Sequence, residues 1–236
     1  MKRVIASFLL SGFFFGAGAQ ITIVPVTLTP SKIPAEIKFN GKFLEGYQWK
    51  DKLGDNLLIT SELGPYQDTI HGLNEEDITK ELFAYHFYKK DSGWKLLWRL
   101  NDLVSACGLD MTAEFIKDAI SITDLDKDNI AETIIQYALG CAGDVSPANM
   151  KLIMHEDKLK FALRGQRWNY ASVAPATFGV TERDVSLETL SVAVRQQDIT
   201  RLFGRYETEK EFKNAPVVFL NFARKRWLKF AVEKYD

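Results

Sequence analysis

Four carboxylates fall within nine residues in the stretch DLDKDNIAE. Asp124, Asp126, Asp128 and Glu132 occupy positions 1, 3, 5 and 9, between two segments that are typical of β-strands. Hard cations take six to eight oxygen ligands, and side chains at positions 1, 3 and 5 of a tight loop point towards one centre. The spacing therefore predicts a bound cation. Calcium is favoured over magnesium, which dehydrates reluctantly and rarely accepts an all-protein cage.

Two further positions of this loop fit a cation site. Asn129 stands at position 6, where the chain usually takes a left-handed turn that glycine prefers and asparagine tolerates. The carbonyl of Ile130 would be the ligand at position 7. The alternative is a solvated hairpin turn, since Asp and Asn are common turn residues. Four carboxylates so close together would, however, repel one another without a cation.

The loop resembles a known calcium-binding motif. It is not an EF-hand, because position 12 holds Ile135 instead of glutamate. It resembles the nine-residue loop D-x-D-x-D-G-x-x-[DE] of FG-GAP and VCBS-type extracellular β-domains, with Asn129 in place of the glycine. The resemblance implies a structural calcium ion. The implied ligands are Asp124, Asp126, Asp128, the Ile130 carbonyl and Glu132.

The first nineteen residues are typical of a secretory signal peptide. Lys2 and Arg3 precede a continuous apolar run, and Ala17-Gly18-Ala19 offers the small residues that signal peptidase accepts. The run is shorter than the ~20 residues of a membrane-spanning helix. We therefore expect cleavage after Ala19 and a single domain, residues 20–236, exported to the periplasm, the cell surface or the medium. We expect no transmembrane segment after cleavage.

Cys107 and Cys141 are the only cysteines, and in an exported chain an even number favours a disulfide. This bond would close a loop containing the whole acidic stretch. A metal-binding pair is the alternative, although neither cysteine has CxxC or CxxH spacing. The 30 basic and 31 acidic residues nearly balance, which gives no electrostatic indication of nucleic-acid binding.

The middle of the chain predicts antiparallel hairpins. Apolar and polar residues alternate along residues 83–88 and 94–100, with a turn at residues 91–93 between them. We expect similar hairpins around Gly54-Asp55 and around Glu156-Asp157. Short turns connect antiparallel strands only, so a doubly wound parallel sheet is excluded.

Helices are predicted near the C-terminus, from about residue 186 to 236. Ser186 can cap a helix starting at Leu187, and a second helix follows Pro216. Leu220, Ala223, Trp227 and Ala231 would form the apolar stripe of the second helix. Its basic run ARKRW favours docking against the sheet over contact with an anionic membrane. The predicted fold class is α+β, mainly antiparallel hairpins with helices near the C-terminus.

A second resemblance rests on ITDLDKDNIAE, GCAGDVSP, KLIM and ALRG, all within roughly residues 100–170. These segments resemble a family of uncharacterised exported proteins from Bacteroidetes-type bacteria linked to surface polysaccharide biosynthesis. The resemblance implies a cell-envelope protein that takes part in the biosynthesis, assembly or binding of surface polysaccharide. Its partners would be surface glycan or other envelope proteins.

The sequence predicts no catalytic residues. It has no G-x-S-x-G elbow and no phosphate-binding glycine loop, and its three histidines lack zinc-ligand spacing. We therefore favour a non-catalytic domain. The alternative is a carbohydrate-active hydrolase that uses two carboxylates across a cleft.

The segment RGQRWNY is a candidate for contact with glycan. Arg167, Trp168 and Tyr170 combine a charged donor with flat apolar faces, a combination suited to polar ligands. The alternative is that the two aromatic rings pack at the end of a strand.

Overall fold

The computed structural model describes residues 21–67, 74, 76–91, 93–143, 146–168 and 181–232. The predicted signal peptide, residues 1–19, lies outside them. The strands are β1 Val26–Thr27, β2 Lys42–Asp51, β3 Gly54–Gln67, β4 Ile78–Lys89, β5 Trp94–Cys107, β6 Asp110–Phe115, β7 Ser121–Thr123, β8 Glu132–Ala142, β9 Asn149–Glu156 and β10 Leu159–Gln166. The helices are α1 Val192–Gln197 and α2 Val217–Phe230, and short 3-10 helices cover Pro30–Lys32, Leu187–Thr189, Ile199–Leu202 and Lys210–Phe212. Among these described helices, none combines the length and the apolar character that crossing a bilayer requires.

The strands form two antiparallel sheets. Sheet A has the order β1-β2-β3-β4-β5, so each strand pairs with its neighbour in the chain. Sheet B has the order β10-β9-β8-β6, and the short strand β7 also pairs with β8, beyond the end of β6. The described residues thus form mostly antiparallel β-sheet with two α-helices towards the C-terminal end, as predicted for the hairpins and for the C-terminal helices.

The hairpins follow the predicted pattern, with one shift. Strands β4 and β5 pair around residues 91–93, and β9 and β10 pair around the turn at Asp157. The turn between β2 and β3 lies two residues earlier than predicted, because Asp51 pairs with Gly54 and the latter already begins β3. The Asp51 carboxylate closes this turn by accepting a hydrogen bond from the Leu53 amide at 2.8 Å.

The two sheets pack face to face. Alternate residues of sheet A, including Leu58, Leu82 and Leu100, meet Ile135 and Ile153 of sheet B in one buried cluster. Strands direct successive side chains to opposite faces, so the intervening residues must be covered on the outside.

Aromatic rings join the two sheets at one end of this interface. The Trp98 ring of sheet A stacks on the His155 ring of sheet B, with centroids 4.2 Å apart and planes at 11°. His86 contacts the edge of the same indole, with centroids 5.5 Å apart. Burial lowers the pKa of His86 to about 3 and that of His155 to about 4, so both rings are neutral at physiological pH.

Each sheet is also covered on its outer face. On sheet A, Ile59, Phe83 and Tyr85 pack against Leu28 and Ile37 of the N-terminal segment. On sheet B, the outward residues of β8, β9 and β10 pack against α2 and the segment before it. The result is four layers: the N-terminal segment, sheet A, sheet B and the C-terminal helices.

The single helix predicted from Leu187 is wrong. Ser186 does cap a helical turn, since its hydroxyl accepts a hydrogen bond from the Glu188 amide, but that turn ends at Thr189. Ser191 and Asp198 then cap the two helical segments that follow. A side-chain cap competes with continuation of the preceding helix, so three successive caps divide this segment into short pieces.

Helix α2 begins directly after Pro216 and docks against sheet B. Phe219, Ala223, Trp227 and the following Ala231 are fully buried. The predicted stripe is therefore right except that Phe219 replaces the only partly buried Leu220. Within ARKRW, Arg224 donates two hydrogen bonds to the Glu209 carboxylate, from Nε at 2.8 Å and from Nη2 at 2.6 Å. The basic run belongs to a packed helix, as expected.

The predicted disulfide is present. Cys107 at the end of β5 and Cys141 near the end of β8 are bonded, and their Cα atoms are 5.6 Å apart. The bond joins sheet A to sheet B and closes a segment that contains the acidic loop. Because it links positions 34 residues apart, it restricts the unfolded chain substantially.

We predict that replacing both cysteines by alanine lowers the free energy of unfolding by about 3–4 kcal/mol, the value expected from loop-closure entropy. Urea unfolding of the wild-type protein and of the double variant checks this. Reducing agent should destabilise the wild type to the same extent and leave the variant unaffected. A loss below about 1 kcal/mol would show that the bond adds little to the contacts between the sheets.

Candidate metal centre

The acidic loop, residues 124–131, connects β7 to β8 as a hairpin. Thr123 and Glu132 are paired across its base. Asn129 has φ of 70°, which is the left-handed conformation predicted for position 6, and Lys127 has φ of 65°. Two carboxylates turn the chain by accepting amide hydrogen bonds two residues ahead: Asp126 from Asp128, and Asp128 from Ile130. The local sequence therefore builds the tight turn that a cation site requires.

Three carboxylates of the loop converge as predicted. Oxygen atoms of Asp124, Asp126 and Asp128 lie within 4.8 Å of one another. Both carboxylate oxygens of Asp124 are buried and lack a hydrogen-bond partner among the described residues. A buried, unpartnered carboxylate is costly unless a cation binds it. This group can hold a metal ion.

Glu132 is fully buried at the first position of β8. Its carboxylate accepts hydrogen bonds from the Leu125 amide at 3.1 and 2.9 Å and from the Thr123 hydroxyl at 2.9 Å. These hydrogen bonds fix the first turn of the acidic loop to the start of β8. Ile130 is half-buried and its amide donates to Asp128, while its carbonyl as a cation ligand stays a prediction.

Glu156, the last residue of β9, completes the site and was not found by sequence reasoning. It is paired directly with Glu132 across the β8–β9 ladder. Oxygen atoms of Asp126, Glu132 and Glu156 lie within 4.8 Å of one another, so Asp126 belongs to two acidic groups. Like charges opposed on neighbouring strands are destabilising. A cation or bound protons would relieve this repulsion.

Burial, with a smaller contribution from neighbouring carboxylates, raises the pKa values of the acids at this site. Burial raises the pKa of Glu132 to about 7, and hydrogen bonds from Leu125 and Thr123 offset it only in part. Burial also raises the pKa of Glu156 to about 7, and the charges of Asp126 and Asp128 add to the effect. The pKa of Asp126 is raised by burial as well. A divalent cation would displace these protons and stabilise the ionised carboxylates.

The loop docks against the β2–β3 turn of sheet A. The Asn129 carbonyl accepts a hydrogen bond from the Lys52 amide at 2.8 Å. Asp51, which is buried, accepts one from the Ala131 amide at 3.1 Å. The same carboxylate also binds the Trp49 indole, the Leu53 amide and the Asn56 side chain. Asp51 thus links the acidic loop to sheet A.

The predicted glycan-contact residues lie elsewhere. Trp168 is buried, and its indole packs on Gly204, where a Cβ would meet the ring at 1.7 Å. Neither face of this indole is open to a ligand. Arg167 is also mostly buried, donates to the Val232 carbonyl and lies 3.7 Å from the Glu114 carboxylate. Tyr170 lies outside the described residues, so glycan contact at this segment stays a prediction.

No family model, curated protein or solved structure matches this chain.

We predict that Glu156→Gln stabilises the metal-free protein by about 1–2 kcal/mol near pH 8 and has little effect near pH 5, after allowance for solvent screening. The folded protein binds a proton at Glu156 up to about pH 7, whereas an unfolded chain releases it near 4.5. An acid with a raised folded pKa costs stability as pH rises through this window. Urea unfolding in chelator at both pH values measures the difference.

The pH dependence of the wild type alone would not isolate Glu156, because the lowered pKa values of His86 and His155 also make stability depend on pH. These histidines make the folded state more stable as pH rises towards 6.5, which opposes the effect of Glu156. Exposed Glu36 provides the matched control, and Glu36→Gln should leave stability unchanged at both pH values. Equal effects of Glu156→Gln near pH 5 and pH 8 would show that the pKa of Glu156 is not raised in the folded protein.

We also predict that Asp51→Ala lowers the free energy of unfolding by about 3–5 kcal/mol, since four donors lose a buried charged acceptor. Urea unfolding measures the loss. Asp55→Ala, at an exposed position of the same hairpin, is the control and should cost under about 0.5 kcal/mol. Similar losses in the two variants would show that Asp51 does not link loop and sheet.

Proposed function

We propose that this protein is an exported, non-catalytic β-domain whose loop Asp124–Glu132 binds one calcium ion. The observation that carries the proposal is the double role of Asp126. Its carboxylate lies within 4.8 Å of oxygens from Asp124 and Asp128 in one acidic group and of oxygens from Glu132 and Glu156 in a second. Oxygen-only groups of this kind suit calcium, which accepts many ligands in variable geometry.

Calcium at this position acts on the structure. The loop that holds it is hydrogen-bonded to the β2–β3 turn through Asn129 and Ala131. Neutralising the carboxylates removes the repulsion that opposes this docking, so the ion holds the β7–β8 corner of sheet B against sheet A. The disulfide between Cys107 and Cys141 joins the same two sheets at the other end of β8.

The acid pair is poorly suited to hydrolysis. A glycosidase places two carboxylates on either side of a substrate that enters from solvent. Glu132 is fully buried and its oxygens already accept backbone and hydroxyl hydrogen bonds. These contacts favour a structural ion over a catalytic pair.

Export and a role with surface glycan are the further parts of the proposal. The disulfide is typical of an oxidising compartment outside the cytoplasm. The link to the biosynthesis, assembly or binding of surface polysaccharide is supported by the resemblance of residues 100–170 to exported Bacteroidetes-type proteins. Surface glycan or other envelope proteins would be the partners.

We expect saturating calcium to raise the melting temperature by roughly 5–10 °C relative to chelated protein. A ligand at a hundredfold excess over its dissociation constant adds about 2.7 kcal/mol, and each kcal/mol shifts a domain of this size by about 2–4 °C. Magnesium at the same concentration should produce a much smaller shift. Thermal melting followed by circular dichroism measures all three conditions.

Asp126→Asn keeps the shape of the side chain and should abolish the calcium shift. Asp110→Asn, which removes an exposed carboxylate on β6, is the matched control and should retain it. If calcium and chelator leave the melting temperature of the wild type unchanged, the loop is a hydrogen-bonded turn and the proposed ion is absent.

A further inference from the structure

A groove lies between the two sheets, and no residue of the acidic loop lines it. It consists of two adjoining hollows of about 470 Å³ and 200 Å³. Both are lined by Asp102 of β5, Lys151 of β9 and Arg164 of β10. Strand β5 is the last strand of sheet A and β10 the last strand of sheet B, so the groove follows an open side of the sandwich.

Cationic side chains are concentrated along this groove. Lys151 and Arg164 are direct neighbours in the β9–β10 ladder, and Lys160 is paired with His155 four positions further along each strand. Residues an even number of positions apart in a strand share a face, so these three cations lie on the face of sheet B that is turned towards sheet A. Arg99 of β5 also lines the smaller hollow.

The groove retains positive charge after its ion pairs are formed. Lys151 binds Asp102 at 2.5 Å, and Arg164 pairs with Glu211. Arg99 and Lys160 are exposed and form no ion pair with any residue in the described part of the chain. The Tyr137 hydroxyl donates to Asp102 at 2.8 Å and fixes that carboxylate at the floor. Two cations therefore remain to bind anionic groups of a ligand.

The groove also offers hydrogen-bond acceptors. Asp102, the Asn149 side chain and the carboxylate of the exposed Glu207 line its walls beside the cations. A ligand that carries only anionic groups would be repelled by the two carboxylates. A ligand with both anionic groups and hydroxyls can bind the cations with the former and donate hydrogen bonds to the carboxylates with the latter.

We propose that this groove binds an acidic saccharide, a chain of sugars that carry carboxylate groups. The mixed lining of the groove suits hydroxylated anions over acidic peptides. The inference rests on the proposed role with surface glycan and assigns that role a site and a class of ligand. It does not involve the acidic loop, so calcium binding and saccharide binding can be tested separately.

Isothermal titration of the purified protein with hyaluronan oligosaccharides, as a source of regularly spaced uronates, tests the proposal. We expect binding that weakens steeply as salt rises, since the charges are partly exposed. Neutral xylo-oligosaccharides of matched length should not bind. Poly-glutamate should bind at least tenfold more weakly than the uronate chain, and inorganic sulfate more weakly still.

Lys160→Glu and Arg99→Glu should each reduce affinity for the uronate chain at least tenfold. Both positions are exposed, so the variants should keep the wild-type melting temperature. Lys225→Glu makes the same charge change at an exposed position of α2, and affinity should be unchanged. An equal loss with Lys225→Glu would show unspecific attraction, which overturns the site.

Two other results would also overturn the proposal: no binding of the uronate chain at low salt, or tighter binding of poly-glutamate than of the saccharide. The calcium-site variant Asp126→Asn separates this inference from the metal site. If it loses the calcium shift and still binds the uronate chain, the groove functions independently of the ion. If the wild type shows no calcium shift but binds the saccharide, the metal proposal alone has failed.

Discussion

The burial of strand β8 on both faces is the constraint on which the rest of this structure depends. Ile135 and Leu139 face sheet A, while Ile134 packs in the cluster with the C-terminal helices, and all three are nearly or completely buried. Three strands pair with β8 along its length. A strand in this position cannot shift without exposing apolar residues on both sides, so every group attached to it is held in a fixed place.

Each end of β8 carries a group that connects the strand to another part of the structure. Glu132 begins the strand and fixes the acidic loop through Leu125, while Cys141 near its end is bonded to sheet A. The disulfide and the proposed cation differ in the state of the protein on which they act. The disulfide acts mainly on the unfolded chain, whereas the proposed cation would act on the folded state by relieving repulsion among carboxylates. The two would thus stabilise the contact between the sheets at opposite ends of one strand.

Local sequence predicted those parts of the fold and site that depend on neighbouring residues. The alternation in β4 and β5 arises within one hairpin, and the left-handed Asn129 and the convergence of three aspartates arise within another, the β7–β8 hairpin. Glu156 could not be predicted, because its place opposite Glu132 follows from the register of β8 and β9, which pairs the first residue of one strand with the last residue of the other. The burial of Trp168 likewise depends on Gly204, a residue of a different segment. Residues that come together only through tertiary packing leave no periodic signal in the sequence.

Strand β9 shows how one register can serve two opposite electrostatic purposes. Its residues Lys151 and His155 face sheet A, where Lys151 lines the cationic groove. The next residue in the chain, Glu156, is paired with Glu132 in the acidic site. If β9 shifted its pairing by one residue, Lys151 would face the apolar layer under α2, and an apolar neighbour, Met150 or Leu152, would face the groove. Positive and negative sites therefore stay separate because the alternation of a single strand keeps them on different sides of the sheet, and the buried partner β8 prevents that slip.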